Sequence, residues 1–409
     1  MGVATPPTGG ATWLRSNNRA LSLRGVTGPV SPSTGATVPV LHAIAPPGLE
    51  PVVARELGEH GYSTHQHPGH VHVDVEGLAA AVSVVHRLRT PSRVLLPLTE
   101  GPAATLEQLA RLVRSVDWSP FLTRTSEVRV SVISRGSRIR RRDTAQKKVS
   151  HALRDAQRRL KPIRRASAGL VPQHVRIRLD GPRAVLSIDV GGDLLHKRGW
   201  RMTAGKAPLR ESLAASLLLL AGWSDDEPLL DPCCGAGTFC IEAGLWAARR
   251  SPYVGRTLAC AQWPGVPEAR REAHRPHPAA LFASDQSERA ISMTRENARR
   301  AGVGVQARVL DIADLEAPSP HGLLIANPPY GARLGQSERS VEGVYRSLGR
   351  ALRGPLAHWR ALFLAPSERL ARSVDRRAFC ITTFSNGSRS VGAWALDPFS
   401  DSTGQDAED

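Results

Sequence analysis

The sequence has few cysteines, few aromatics and, over its first 49 residues, no acid at all. Five cysteines in 409 residues (Cys233, Cys234, Cys240, Cys260, Cys380) are few and odd in number. They exclude a disulfide scaffold and predict a reducing, cytoplasmic setting. No apolar run reaches the roughly 18 residues of a membrane span; the stretch 213–222 is too short and is interrupted by Ser216. No acid precedes Glu50, whereas Arg15, Arg19 and Arg24 are present. Residues 1–37, rich in Gly, Pro, Ser and Thr, read as a disordered leader, although the same composition resembles an organellar transit peptide. An apolar signal region is missing, and Pro6 stands where a myristoylation signal needs Ser or Thr. The acidic, polar stretch 398–409 reads as a second disordered end.

Positive charge is what the chain has in excess. Its 54 Lys and Arg outnumber 37 Asp and Glu, a net +17. Residues 124–178 hold 17 of the basic residues against three acids, so +14 of that excess sits in one stretch. A charge run is usually a solvated face, but so local an imbalance predicts a polyanionic partner. Arg135, Arg138, Arg140, Arg141 and Arg142 gather at a strand-to-helix junction, and Lys147, Lys148 and Arg154 continue along the helix. They are the candidate RNA-binding set. Phe, Tyr and Trp are absent from the stretch, which argues against base stacking and for shape and backbone recognition of folded RNA or duplex DNA. A membrane partner is not expected.

Two regions follow the leader. In 38–192, short strands alternate with helices in a small α+β pattern, as in the half-buried strand where Val71, Val73 and Val75 alternate with His70, His72 and Asp74. In 193–397, short continuous apolar runs (229–230, 281–283, 305–310, 323–326, 360–364) alternate with helices, the mark of a doubly wound, mostly parallel α/β sheet. The change of character falls between Gly191 and Pro208.

The second region carries the chemistry. Asp231-Pro232-Cys233-Cys234-Gly235-Ala236-Gly237-Thr238 closes a strand with a glycine-rich turn that opens a helix. Gly235 and Gly237 allow close backbone approach, and the helix start offers free N–H groups. Cys240 breaks the dinucleotide fingerprint, so S-adenosylmethionine (SAM), which has no pyrophosphate, suits the turn better. Asp285 ends the next strand, where an acid can accept both ribose hydroxyls; a helix N-cap is the bland alternative. Asp311 ends the third and can accept from an adenine amino group, with the same alternative. Gln286 and Ile312 follow these acids as further cofactor contacts. Asn327-Pro328-Pro329-Tyr330 ends the fourth. Its prolines force an extended backbone, the Asn327 amide and Pro328 carbonyl accept from an exocyclic amine, and Tyr330 offers a stacking face.

This order of motifs resembles the class I SAM-dependent amino-methyltransferases. Leu195-His196-Lys197-Arg198-Gly199-Trp200-Arg201, the stretch 207–214, Ala261-Gln262-Trp263 and the NPPYGARLG segment 327–335 are similar to bacterial guanine-N2 rRNA methyltransferases of the THUMP class. The segment from Arg135 to Leu160 looks like a THUMP strand and RNA-facing helix. Cys233, Ala236 and Ala332 depart from the family's usual Met, Ser and acid. The resemblance implies a Rossmann-like methyltransferase domain behind a ferredoxin-like and THUMP RNA-binding region, with SAM as cofactor and 23S rRNA as substrate. It also implies methyl transfer to guanine N2. Guanine N2 in tRNA, adenine N6, and a non-catalytic assembly factor are the other readings. Some relatives carry a second methyltransferase domain, for which this chain is too short.

Two other clusters point less clearly to chemistry. Cys233-Cys234 lies away from the fourth-strand motif, where a cysteine nucleophile would be needed. His65, His67, His70 and His72 lack the spacing of a tetrahedral zinc site and read as a surface strand, so no metal is expected. Lys206 is either a phosphate contact or a solvated loop residue.

Overall fold

The structure is a computed structural model that describes residues 40–162, 171–201, 209–264, 266, 280–330, 338–387 and 389–398. The leader 1–37, nearly all of the tail, Lys206 to Pro208, and 331–335 of the NPPYGARLG segment lie outside the described residues.

Two seven-stranded sheets organise the described residues. The first is built from β1 (Val40–Ile44), β2 (Thr64–His67), β3 (His70–Asp74), β4 (Arg93–Pro102), β5 (Val128–Arg135), β6 (Gln173–Asp180) and β7 (Arg183–Asp189), in the order β2-β3-β1-β4-β7-β6-β5. All neighbours are antiparallel except β5 and β6, which run parallel because helix α4 crosses between them. The helices are α1 (Glu50–Glu59), α2 (Gly77–Arg87), α3 (Leu106–Arg114) and α4 (Arg142–Gln157). Period-two alternation decides the two faces. Val71, Val73, Val94 and Ile188 pack with Val53, Leu57 and Val84 of α1 and α2. Val175, Ile177 and Leu186 pack with Leu109, Val113, Val149 and Leu153 of α3 and α4. The other face carries His42, His70, His72, Arg93, Arg176 and Arg178.

The second sheet contains β8 (Leu229–Asp231), β9 (Leu281–Asp285), β10 (Gln306–Val309), β11 (Gly322–Ala326), β12 (Trp359–Ala365), β13 (Phe379–Asn386) and β14 (Arg389–Leu396), ordered β10-β9-β8-β11-β12-β14-β13. The first five are parallel, and β14 alone runs against them, pairing antiparallel with β12 on one side and β13 on the other. Helices α5 (Glu211–Leu220), α6 (Thr238–Ala247), α7 (Glu288–Ala301), α8 (Glu338–Arg353) and α9 (Glu368–Val374) complete this part. Strand order reverses between β8 and β11, which opens a crevice at their carboxyl ends. Helices α5 and α6 are apolar almost all round and correspondingly buried. Their two acids need partners. Glu242 is fully buried and receives Nε and Nη2 of Arg198, both at 3.1 Å, and Glu211 pairs with Arg201 at 2.8 Å. Arg198 also donates to the Leu195 and Arg89 carbonyls, so one buried guanidinium ties the first region to α6.

Candidate active site

The reversal crevice holds a cavity of about 710 Å³. Asp231, Pro232, Cys234, Gly235, Thr238, Asp285, Gln286, Asp311, Ile312 and the whole Asn327–Tyr330 segment line it, which brings four strand ends to one place. Gly237 is not among its lining residues.

The glycine turn is shaped by α7 behind it. Gly237 has φ +79°, and a Cβ there would meet Thr294 Cγ2 at 2.8 Å. Thr294 donates to the Gly235 carbonyl at 3.2 Å, and Asn297 donates to the Ala236 carbonyl at 3.1 Å. Both side chains are fully buried. Gly235 has φ +54° with open space where a Cβ would point. A ligand can therefore approach the backbone there.

The acids differ in their surroundings. Asp231 is buried and accepts from Cys233 N at 3.1 Å. Burial pushes its carboxyl up to about 8, and the charge of Asp285 adds to the rise. Asp285 accepts from Gly235 N and from Ser287 N, both at 3.0 Å, so each oxygen is held in place and keeps a lone pair for a ligand. Ser287, not Asp285, caps α7. Asp311 does cap a short 3-10 turn, Ile312–Asp314, accepting from Ala313 N at 2.8 Å. Its bland reading is thus realised without using its second oxygen. Burial pushes the Cys234 thiol well up, which disfavours a thiolate nucleophile at neutral pH.

Asn327 Oδ1 is buried and has no hydrogen-bond partner among the described residues. An orphaned acceptor of this kind costs about 1–3 kcal/mol unless a ligand donor fills it. It fits an amine placed in the cavity, and the donor set around it fits a nucleoside cofactor.

Sequence reasoning missed Asn386, Gly387 and Arg389 from the β13–β14 turn, and Ser340, Gly343 and Ser347 from α8, all of which line the cavity. Asn386 Nδ2 donates to the Tyr330 hydroxyl at 2.9 Å and fixes the ring expected to face a base. A second cavity of about 630 Å³ shares Leu209 and Arg210 with the first. Arg129, His174, Lys197 and Arg256 are among its lining residues.

Of the basic set, Arg135, Arg138, Arg140, Arg141, Arg142, Lys147 and Arg154 are exposed. Lys148 is committed instead to Glu107 of α3, at 2.8 Å.

The chain matches the RMKL-like methyltransferase domain model over residues 198–392 and the RlmL ferredoxin-like domain model over residues 40–95. It is 30% identical over 354 residues to "Putative RNA methyltransferase YpsC" of Bacillus subtilis, covering 83% of this chain and 90% of that protein. The chain belongs to the RMKL-like methyltransferase family. It is also 34% identical over 370 residues to "Ribosomal RNA large subunit methyltransferase K/L" of Syntrophotalea carbinolica, covering 84% of this chain but only 52% of that protein. Among solved structures, SMU.472, described as a putative methyltransferase complexed with SAH, superposes with a TM-score of 0.74 at 27% identity, covering 88% of this chain and 98% of that one. No helix among the described residues is long and apolar enough to cross a membrane.

Proposed function

We propose that this family member uses SAM to methylate the exocyclic N2 of a guanine in structured RNA, with large-subunit rRNA as the preferred substrate. The observation that carries the reading is the orphaned Asn327 Oδ1 at the carboxyl end of β11, inside a cavity shared with the glycine turn and both strand-end acids. Bound SAM supplies an electrophilic methyl group. Asp285 accepts from ribose hydroxyls, and Asp311 with Ile312 faces the adenine edge. Asp231, Pro232, Cys234, Gly235, Gly237, Thr238 and Gln286 shape the remainder of the cofactor site.

Asn327 and the Pro328 carbonyl accept the two N–H bonds of the target amine. Held so, the nitrogen presents its lone pair to the methyl carbon, and positioning with electrostatics lowers the barrier. Pro329 keeps this segment extended, and Tyr330, held by Asn386, stacks on the base. The nitrogen displaces sulfur from the methyl carbon, the S–C electron pair leaving with the sulfur, and then loses one proton to water. Extruding the guanine costs roughly a few kcal/mol, which RNA contacts offset.

In this reading residues 38–192 are the RNA-binding region, with a THUMP-like part, and 193–397 the methyltransferase domain. Arg135, Arg138, Arg140, Arg141, Arg142, Lys147 and Arg154 contact phosphates. The basic cavity beside the active site takes the backbone next to the flipped nucleotide, because it opens onto the same Arg210.

The test separates chemistry from binding. Asn327→Ala should bind the cofactor product normally by calorimetry, yet lose about 100-fold or more of its methyl transfer to RNA. Equal transfer by the variant and the wild type would remove Asn327 from the chemistry.

A further inference from the structure

The face of the first sheet opposite helices α1 to α4 gathers histidines from three strands. Register sets His42 of β1 and His65 of β2 opposite His72 of β3, and His67 of β2 opposite His70 of β3. Directly paired residues share a face, so all five imidazoles project the same way. The His42 and His72 rings stack with centroids 4.3 Å apart and planes 9° apart. The His67 ring lies 4.0 Å from His72 and 5.1 Å from His70.

Ring nitrogens of His42, His70 and His72 all lie within 4.8 Å of one another. His70 and His72 turn their Nε2 atoms to 3.0 Å, while His70 Nδ1 sits 3.4 Å from the Pro68 carbonyl. A histidine that ligates through one nitrogen commonly donates the other N–H to a carbonyl. Tetrahedral zinc, with Zn–N near 2.0–2.1 Å, separates its ligand nitrogens by about 3.3–3.4 Å. The His70–His72 pair is already that close, and His42 offers a nitrogen within 4.8 Å of both. A hydrogen bond between His70 and His72 accounts for that pair alone, not for the convergence of His42 and His67 upon it.

We propose that His42, His70 and His72, with His67 as the fourth ligand, form a binding site for a divalent transition cation of the zinc type. The donor set decides the class. Imidazoles suit zinc, copper or nickel, whereas magnesium and calcium want oxygen. The nearby Glu50 carboxylate already accepts from the Gly48 and Gly69 backbone N–H groups, at 2.7 and 2.8 Å. The bound cation clips β1, β2 and β3 together at the edge of the sheet. The sequence spacing of His65 to His72 did not disclose this, because His42 arrives from a strand more than twenty residues earlier.

The test uses the full chain, stripped with a chelator and titrated with zinc by calorimetry, with elemental analysis after dialysis. One tight equivalent is expected in the wild type and in His358→Gln, an exposed control. His42→Gln and His72→Gln, on separate strands, should each weaken that equivalent by at least about 100-fold while melting like the wild type without zinc. Cobalt in place of zinc should give visible bands and no near-ultraviolet thiolate band. Absence of a stoichiometric equivalent, uptake that survives both substitutions, or a thiolate band would overturn the proposal.

Discussion

Gly237→Ala tests whether the packing of α7 behind the glycine turn sets the cofactor site. Gly237 sits at φ +79°, where an L residue costs about 1–2 kcal/mol. The new Cβ would also meet Thr294 Cγ2 at 2.8 Å and Cβ at 3.3 Å. Thr294 is fully buried and anchored to the Gly235 carbonyl, so it cannot simply rotate away. Overpacking of this kind costs about 1–3 kcal/mol, for a total of about 2–5 kcal/mol. Gly235→Ala is the comparison. It carries the conformational cost at φ +54° but meets no atom within 4 Å. Urea denaturation should rank Gly237→Ala well below Gly235→Ala, whereas product-cofactor calorimetry should show that both bind poorly. Thr294→Ser removes the obstructing methyl and keeps the hydroxyl. In the double variant it should restore about 1–3 kcal/mol to Gly237→Ala. Equal stability of the two alanine variants, or no rescue by Thr294→Ser, would refute the steric argument.

Two further outcomes follow from the same geometry. Asp231 keeps its proton in the folded chain up to about pH 8, whereas unfolded Asp loses it near 4. The folded state then binds more protons across that window, so this group makes stability fall as pH rises from about 4 to 8 and level off above. Asp231→Asn should flatten that part of the profile in melting scans, and an unchanged slope would count against the raised pKa. In the basic stretch that leads into and along α4, Arg138→Gln, Arg141→Gln and Lys147→Gln together should reduce the salt dependence of RNA affinity by about 0.7–0.9 for each phosphate no longer neutralised. A Lys148→Gln variant, whose amine already serves Glu107, should change that slope little. A triple variant with the wild-type slope would move the RNA to another face.

The second sheet was legible because its inner parallel strands read as apolar runs; β10, an exposed edge strand with Gln306 and Arg308 in it, is the exception, and four strands end beside residues that line the cavity. What escaped notice lacked such a run. β2 is Thr-His-Gln-His with no apolar residue, so the histidines from 65 to 72 read as one surface strand and not as the two strands of a hairpin. β13 alternates weakly and slips register between Cys380 and Thr382. Asn386 therefore gave no sign that it would meet Tyr330. The pairing of Lys148 with Glu107 spans α4 and α3, and helix periodicity cannot report which helices become neighbours. The Arg198–Glu242 pair is similar. The sequence marks Arg198 within a family-like segment, but only packing shows that its role is to neutralise an acid buried in α6.

The most direct test of the central claim is nucleoside analysis of RNA from a strain lacking this gene, compared with the same strain carrying wild-type or Asn327→Ala protein. The account predicts that N2-methylguanosine is missing from one position in large-subunit rRNA of the deletion strain. Wild-type protein should restore it and Asn327→Ala should not. A missing N6-methyladenosine, or a full N2-methylguanosine complement without the gene, would contradict the account.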